Sequence, residues 1–309
     1  MNALQRLLSI FVSYASIKQK NRFKSRDALL KWQDRQVQNF LKKTLPKSKF
    51  YQNYIQGMSI QDWQKFPTID KRLMMDNFDD LNTAGISKAE AFNIAIQSEI
   101  SRDFSPKIKN YTVGLSSGTT GGRGLFVVSE FEQCFWVGAI FAKAFPLSFT
   151  KKHRIAFFLR ANSNLYENVK SRSIEFQYFD LLSAMGDHVQ RLNHYQPTVL
   201  VCQPSVLRLL AEAQSTGKLH ISPVKIISVA EVLDPVDEAA IRKHFNQTVH
   251  QVYQCTEGFL GSSCEYGTLH LNEDMVAIQK DYIEGSSGRF MPIITDFNRC
   301  TQPIIRYKL

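Results

Sequence analysis

Thr198-Val199-Leu200-Val201-Cys202, Val224-Lys225-Ile226-Ile227-Ser228-Val229 and Thr248-Val249-His250-Gln251-Val252-Tyr253 are three short apolar runs, separated by helix-patterned segments at Ser205–Gln214 and Pro235–Phe245. Each run is too short for a stable helix and rich enough in β-branched residues for a buried strand. Each intervening segment is long enough to carry the chain back across a sheet, which parallel pairing requires. Asp234 before Pro235 supplies the cap-then-proline start of the second helix. The alternation extends upstream: a strand at Leu125–Val128, a helix at Glu130–Phe145, strands at Arg154–Leu159 and Ile174–Phe179, then a helix through Leu192. The expected fold is therefore α/β, with helices covering mostly parallel sheets.

Beyond Glu257 the rhythm changes. Short strands near Leu269–Leu271, Met275–Lys280 and Arg289–Thr295 are divided by Gly267 and Gly285-Ser286-Ser287-Gly288, which predicts a small antiparallel β subdomain at the C-terminal end. At the other end, Ser25 caps a helix running to about Leu45, which Pro46 terminates. The expected organisation is a helical wrap and start of sheet over 1–110, an α/β core over 111–257 and a β subdomain over 258–309.

Composition narrows the class. The 309 residues can bury a large core, and 44% hydrophobic with 21% charged residues is ordinary for a globular chain. Five dispersed cysteines form no C-x-x-C pair, so a reduced, cytoplasmic protein without a zinc site is expected. The net charge of +10 comes from scattered clusters such as Lys42-Lys43-Lys47-Lys49 and Lys151-Lys152-Arg154, with no interleaved aromatics; they read as solvated faces, and no nucleic-acid partner is expected. The first fifteen residues alternate apolar and polar positions without a continuous apolar span. They predict an amphipathic helix packed on the domain, with peripheral membrane contact as the alternative, and neither a signal peptide nor a transmembrane segment.

Gly114-Leu115-Ser116-Ser117-Gly118-Thr119-Thr120-Gly121-Gly122-Arg123-Gly124 carries the most functional information. Glycines let backbone N–H groups approach an anion, and the hydroxyls donate further hydrogen bonds. No Lys-Ser or Lys-Thr pair closes the loop, so it is no Walker A sequence. Taken alone, it reads equally as a Gly/Ser surface turn. Tyr253-Gln254-Cys255-Thr256-Glu257 adds an aromatic face, a hydroxyl and a carboxylate at a strand end, a set able to stack a base and hold magnesium. Ala230-Glu231 lies at the end of another strand. Ligands of open α/β sheets gather outside the carboxyl ends of strands, so these two elements share an expected rim.

Together these segments resemble the adenylate-forming superfamily of acyl-CoA synthetases and adenylation domains, and most closely its phenylacetate–CoA ligase-like branch, including relatives that adenylate a deazaflavin coenzyme. The family's S-S-G-T-T-G stands at 116–121, and its Y-G-x-T-E at Tyr253, Thr256 and Glu257. Its G-A-E-P is echoed by Val229-Ala230-Glu231-Val232, L-H-x-x-E-D by Leu269–Asp274, and P-L-I-R-Y-R by Pro303–Lys308. Gly122 stands where many members have lysine, with Arg123 beside it as a substitute charge. Gln254 replaces a usual glycine.

The resemblance implies ATP and Mg²⁺ as cofactors. A carboxylic acid, an aryl acid on first analogy, or a phenolic substrate would attack the α-phosphorus to give an acyl-adenylate, or its phenolic counterpart, and pyrophosphate. A thiol from CoA or a carrier's phosphopantetheine would then take the acyl group. It places Ser116, Ser117, Gly118, Thr119, Thr120, Gly121 and Arg123 on the phosphates, and Ala230, Glu231 and Tyr253 around adenine. Thr256 would act on the α-phosphate, and Glu257 would act as catalytic carboxylate and metal ligand. It also implies a smaller lysine-bearing mobile domain following Leu309, expected to be absent from this chain. Slow adenylation and weak ATP binding are then expected of the chain itself, and a non-catalytic nucleotide- or partner-binding remnant stands as the alternative. The acyl pocket is expected from Phe135–Phe141 and Ser228–Leu233. His270, His188 and His194 are read as packed or surface residues, and Cys255 as a small apolar spacer.

Overall fold

The computed structural model describes residues 1–19, 23–101, 103, 105–116, 122–145, 152–159 and 174–309. Its centre is a seven-stranded sheet built from β3 (His153–Leu159), β4 (Ile174–Asp180), β5 (Val199–Cys202), β6 (Lys225–Val229), β7 (Val249–Cys255), β8 (Gly258–Ser263) and β9 (Leu269–Leu271), in the order β4-β3-β5-β6-β7-β8-β9. The first five strands in that order are parallel; β8 and β9 continue the sheet antiparallel. A hairpin of β1 (Tyr111–Leu115) and β2 (Leu125–Ser129) lies apart from it. A three-stranded antiparallel sheet of β10 (Ala277–Tyr282), β11 (Phe290–Asp296) and β12 (Ile304–Lys308) ends the chain.

The fold class is the expected one, and the boundary after Glu257 needs revision. Residues 258–271 belong to the main sheet, because β8 turns straight back on β7, pairing Cys255 with Gly258 and Val252 with Ser262. The separate small sheet therefore begins at Ala277. No strand is expected at Gly258-Phe259-Leu260-Gly261, since two glycines interrupt the pattern. Burial explains it: Phe259 and Leu260 are 2% and 0% exposed, and Gly261 lies against His270 O and the Tyr253 Cβ.

Each face of the parallel sheet has its own apolar layer. Phe158, Phe179, Leu200 and Ile226 pack against helices Met185–Tyr195, Pro204–Ser215 and Pro235–Phe245. Ile155, Phe157, Val201 and Ile227 face the Glu130–Ala144 helix. A third, larger cluster joins the Arg26–Thr44 helix, the hairpin and β12. His188 is 2% exposed, edge-on to Phe158, and burial lowers its pKa, in line with a packed residue.

The N-terminal helix, Ala3–Lys18, packs alongside Glu130–Ala144 as expected, although its apolar side faces away from the domain. Gly138 makes the approach: a Cβ there would sit 2.6 Å from Ile10 O and 2.7 Å from the Ser13 Cβ. Among the described residues no helix is long and apolar enough to cross a membrane.

Candidate active site

The glycine-rich segment is the connection of the β1–β2 hairpin, as the apolar run after it implies. Its base is closed twice: Ser116 N donates to Gly124 O at 2.8 Å, and Gly124 N donates to Ser116 Oγ at 2.8 Å. Gly114 faces Phe126 across the hairpin, and any Cβ would fall 2.4 Å from that ring, so only glycine lets it lie over the strand. Ser117, Gly118, Thr119, Thr120 and Gly121 lie outside the described residues. Arg123 is bound to the Glu99 carboxylate and reaches Ser116 O at 3.4 Å, so its charge is shared with an acid. A second cation, Lys71, comes to the loop base; its Cε lies 3.0 Å from where a Gly124 Cβ would stand.

Across the sheet, β6 and β7 run side by side with Val229 opposite Val252. Their carboxyl ends therefore bring Ala230 and Thr256-Glu257 to one rim. Ala230 has φ +66°, a left-handed conformation that costs a non-glycine residue roughly 1 kcal/mol. Glu231 turns away and caps the Pro204–Ser215 helix, accepting from Ser205 N at 3.2 Å and Ser205 Oγ at 3.1 Å. Tyr253 is 40% exposed at the end of β7.

Glu257 is the buried carboxylate of this rim, 8% exposed. Thr256 Oγ1 donates to its Oε2 at 2.8 Å and Tyr307 OH to its Oε1 at 2.9 Å. Burial and the adjacent carboxylate raise the Tyr307 pKa, which keeps the phenol protonated and donating. Among the described residues no lysine or arginine pairs with Glu257; its partners are the two hydroxyls and the Cys255 thiol. A lone carboxylate of this kind suits Mg²⁺, which is usually held by one or two carboxylates together with substrate phosphates. Among the described residues no cluster of three acidic, histidine or cysteine side chains forms a metal cage.

Two residues outside every sequence motif connect hairpin and rim. Gln302 Oε1 accepts from Val127 N at 2.8 Å and Gln302 Nε2 donates to Leu125 O at 3.1 Å, holding β2. Arg299 donates to the same Gln302 Oε1 at 3.1 Å and, through Nη1, to Thr256 O. The strand leaving the glycine loop is thus joined to the Thr256–Glu257 turn through two side chains.

Beneath the rim lies a cavity of about 380 Å³. Its wall is mostly apolar, with Phe135, Trp136, Ile140, Phe141, Phe157 and Phe176 prominent, and Phe126, Ala230 and Thr256 also border it. The Phe135–Phe141 and Val229-Ala230 parts were expected from sequence; Ser228 and Glu231–Leu233 do not line it. Tyr253 does not border it either. The polar end carries Asp296, Asn298 and Arg299. Cys255 also lines it, and burial pushes its thiol up to about 12, so it stays a neutral spacer at physiological pH.

Burial raises the Asp296 carboxyl from 3.8 to about 6. The folded state therefore holds the proton more tightly than the unfolded chain between about pH 4 and pH 6, and stability declines as pH rises through that window. Asp296→Asn, which keeps the acceptor for Asn298 N, removes this cost. The variant is expected to be about 1 kcal/mol more stable than wild type near neutral pH, with a flatter profile from pH 4 to 6. Denaturant titrations across that range check it; identical slopes for both proteins contradict it.

Two of the remaining motif residues, Glu273 and Asp274, make ion pairs with helices elsewhere in the chain. Asp274 accepts from Lys143 Nζ at 2.8 and 2.9 Å, and Glu273 pairs with Arg26, so the pair docks two helices. His270 and His194 are exposed.

No protein-family model matches the sequence, and no curated protein matches it. Among solved structures, the chain is similar to 2-hydroxyisobutyryl-CoA ligase in complex with 2-HIB-AMP and CoA in the thioesterification state, with 14% identity and a TM-score of 0.68 over 92% of this chain and 63% of that one. An open conformation of the same ligase with 2-HIB-AMP and CoA gives 14% identity and 0.65 over 89% and 67%. Its postadenylation state with R3-HIB-AMP gives 14% and 0.66 over 91% and 61%. The chain thus spans 61–67% of the length of those structures. At such identity the likeness establishes a shared fold with part of that ligase.

Proposed function

We propose that this chain is the nucleotide- and acid-binding part of an ATP-dependent adenylate-forming ligase. The observation that carries the reading is the convergence of β2, Ala230 and Thr256 on one apolar cavity; Glu257 follows Thr256 but does not itself line the cavity, and its carboxylate accepts from Thr256 and Tyr307. The shared fold and the motif order support it. In the reaction proposed, a carboxylate oxygen of the acid attacks the α-phosphorus of ATP, the bond to the bridging oxygen breaks, and pyrophosphate leaves with its electron pair. The hairpin loop from Ser116 through Thr120 and Gly121 would receive the β- and γ-phosphates, with Lys71 and Arg123 as nearby cations. Thr256 would meet the α-phosphate, Tyr253 and Ala230 the adenine. Glu257 would hold Mg²⁺, which supplies charge neutralisation for the leaving pyrophosphate. Glu231 would border adenine through its backbone, because its carboxylate caps a helix.

The cavity wall favours an apolar acid, aryl or branched aliphatic, because most of its lining is apolar and its polar side chains, Asp296, Asn298 and Arg299 among them, are the minority. In the reaction proposed, transfer to CoA or to a carrier's phosphopantetheine would follow. A panel of aryl, branched and fatty acids in an ATP–pyrophosphate exchange assay on the full-length enzyme tests the reading. Exchange is expected with apolar acids and not with hydroxylated or dicarboxylic ones of the same size. Exchange with none of them contradicts it.

A further inference from the structure

The N-terminal helix is amphipathic in the wrong direction for a domain buried in water. Its polar and small residues meet the domain: Ser13 is 6% exposed, the Met1 ammonium and Arg6 pair with Glu130, and Lys18 Nζ donates to Ala142 O at 3.2 Å. Leu4, Leu7, Leu8, Phe11 and Val12 form the opposite face and are 57–75% exposed. Their spacing is that of one continuous helical stripe. Close packing at Gly138 and Ser13 fixes this orientation, so the helix cannot roll to bury the stripe without a backbone clash.

Charge and area identify what covers the stripe. Residues 1–26 contain six lysines and arginines and no aspartate or glutamate; of the six, Arg6 and Arg26 are paired with Glu130 and Glu273. Lys18, at the end of the helix, and Lys24, just beyond, are both exposed. A 16-residue helix is about 24 Å long and presents a face of roughly 250 Å², far below the ~800 Å² per partner of a stable protein–protein interface. A lipid surface has no such minimum: apolar side chains enter the acyl boundary while cations meet anionic headgroups. The helix is too short to span a bilayer, which leaves binding in the plane of the interface.

We propose that the Ala3–Lys18 helix docks the protein on an anionic lipid surface, with Leu4, Leu7, Leu8, Phe11 and Val12 inserted and Lys24 at headgroup level. The partner helix Glu130–Ala144 lines the apolar cavity, so docking holds that wall close to the membrane.

Co-sedimentation of the chain with phosphatidylglycerol-containing vesicles and with pure phosphatidylcholine vesicles tests this without any activity measurement. Binding to the anionic vesicles is expected, weakening with salt, with little to neutral ones. Leu8→Glu/Phe11→Glu should lower the partition roughly tenfold with an unchanged melting transition, since both side chains are already in solvent. Lys24→Glu, which spares the apolar face and the Lys18–Ala142 contact, should weaken it several-fold and tests the charge arm should the first variant misfold. The proposal is overturned by any of three results: no binding to anionic vesicles, equal binding by the two variants and wild type, or a concentration-dependent dimer that the Leu8/Phe11 variant abolishes.

Discussion

Glu257→Gln should reduce ATP–pyrophosphate exchange by at least roughly 100-fold while leaving the fold intact, because it removes a charge and keeps a hydrogen-bonding shape. The wild-type carboxylate sits at 8% exposure with the Thr256 and Tyr307 hydroxyls and the Cys255 thiol as partners, and no cation pairs with it among the described residues. A buried carboxylate left without a cation is costly unless something positive joins it. In the proposed reaction that is Mg²⁺ carried in with the nucleotide. Glutamine still accepts the Tyr307 proton through Oε1, so stability should move by no more than about 1 kcal/mol. Glu257→Ala loses both functions and additionally strands the Tyr307 hydroxyl. Exchange kinetics and thermal melts on the same preparations separate the two effects. An active Glu257→Gln enzyme would remove the metal assignment.

The largest stability effect is expected at Glu132. Its carboxylate is 8% exposed and accepts five hydrogen bonds: Cys300 N at 2.6 Å and Thr301 N at 2.7 Å on Oε1, and Ser129 N at 2.6 Å, Ser129 Oγ at 2.8 Å and Thr301 Oγ1 at 2.5 Å on Oε2. Glu132→Ala strands three backbone amides, each costing about 1–3 kcal/mol where water cannot replace the lost acceptor. Backbone relaxation recovers part of that, leaving an expected loss of about 3–5 kcal/mol, read from denaturant midpoints. The freed segment contains Arg299 and Gln302, so the tie between β2 and the Thr256 turn should loosen as well. A loss below about 1 kcal/mol would mean the network carries little energy.

These two residues also mark where sequence stops being readable. Glu132 is legible as the fourth member of a Ser129-x-x-Glu132 capping box, and the structure has that box. Its grip on Cys300 and Thr301, 168 and 169 positions away, has no local signature. Strands β5, β6 and β7 are legible because burial on both faces writes continuous apolar runs. β8 is not, because close approach to His270 O and Tyr253 selects glycine at 261, and glycine reads as a break. Helix periodicity places Leu4, Leu7, Leu8, Phe11 and Val12 on one stripe; which side faces the domain depends on the Gly138 seat, far along the chain.

The rim follows the same division. Ala230 and Thr256 meet because adjacent parallel strands end together, a consequence of topology readable from alternation alone. Asp296, Arg299 and Gln302 sit at the end of β11 and in the irregular turn before β12, where no period exists to reveal direction. Lys71 reaches the loop base from a short helix whose neighbours only the tertiary fold decides.

A double-mutant cycle on MgATP affinity tests the central claim most directly, pairing Thr119→Ala in the hairpin loop with Glu257→Gln on the rim and measuring binding to the full-length enzyme by calorimetry. Both single variants should weaken binding, and the double variant should lose less than the sum by roughly 1 kcal/mol, as expected when two groups hold one triphosphate. Additive losses, or a loop variant that binds MgATP as wild type does, would contradict the shared site.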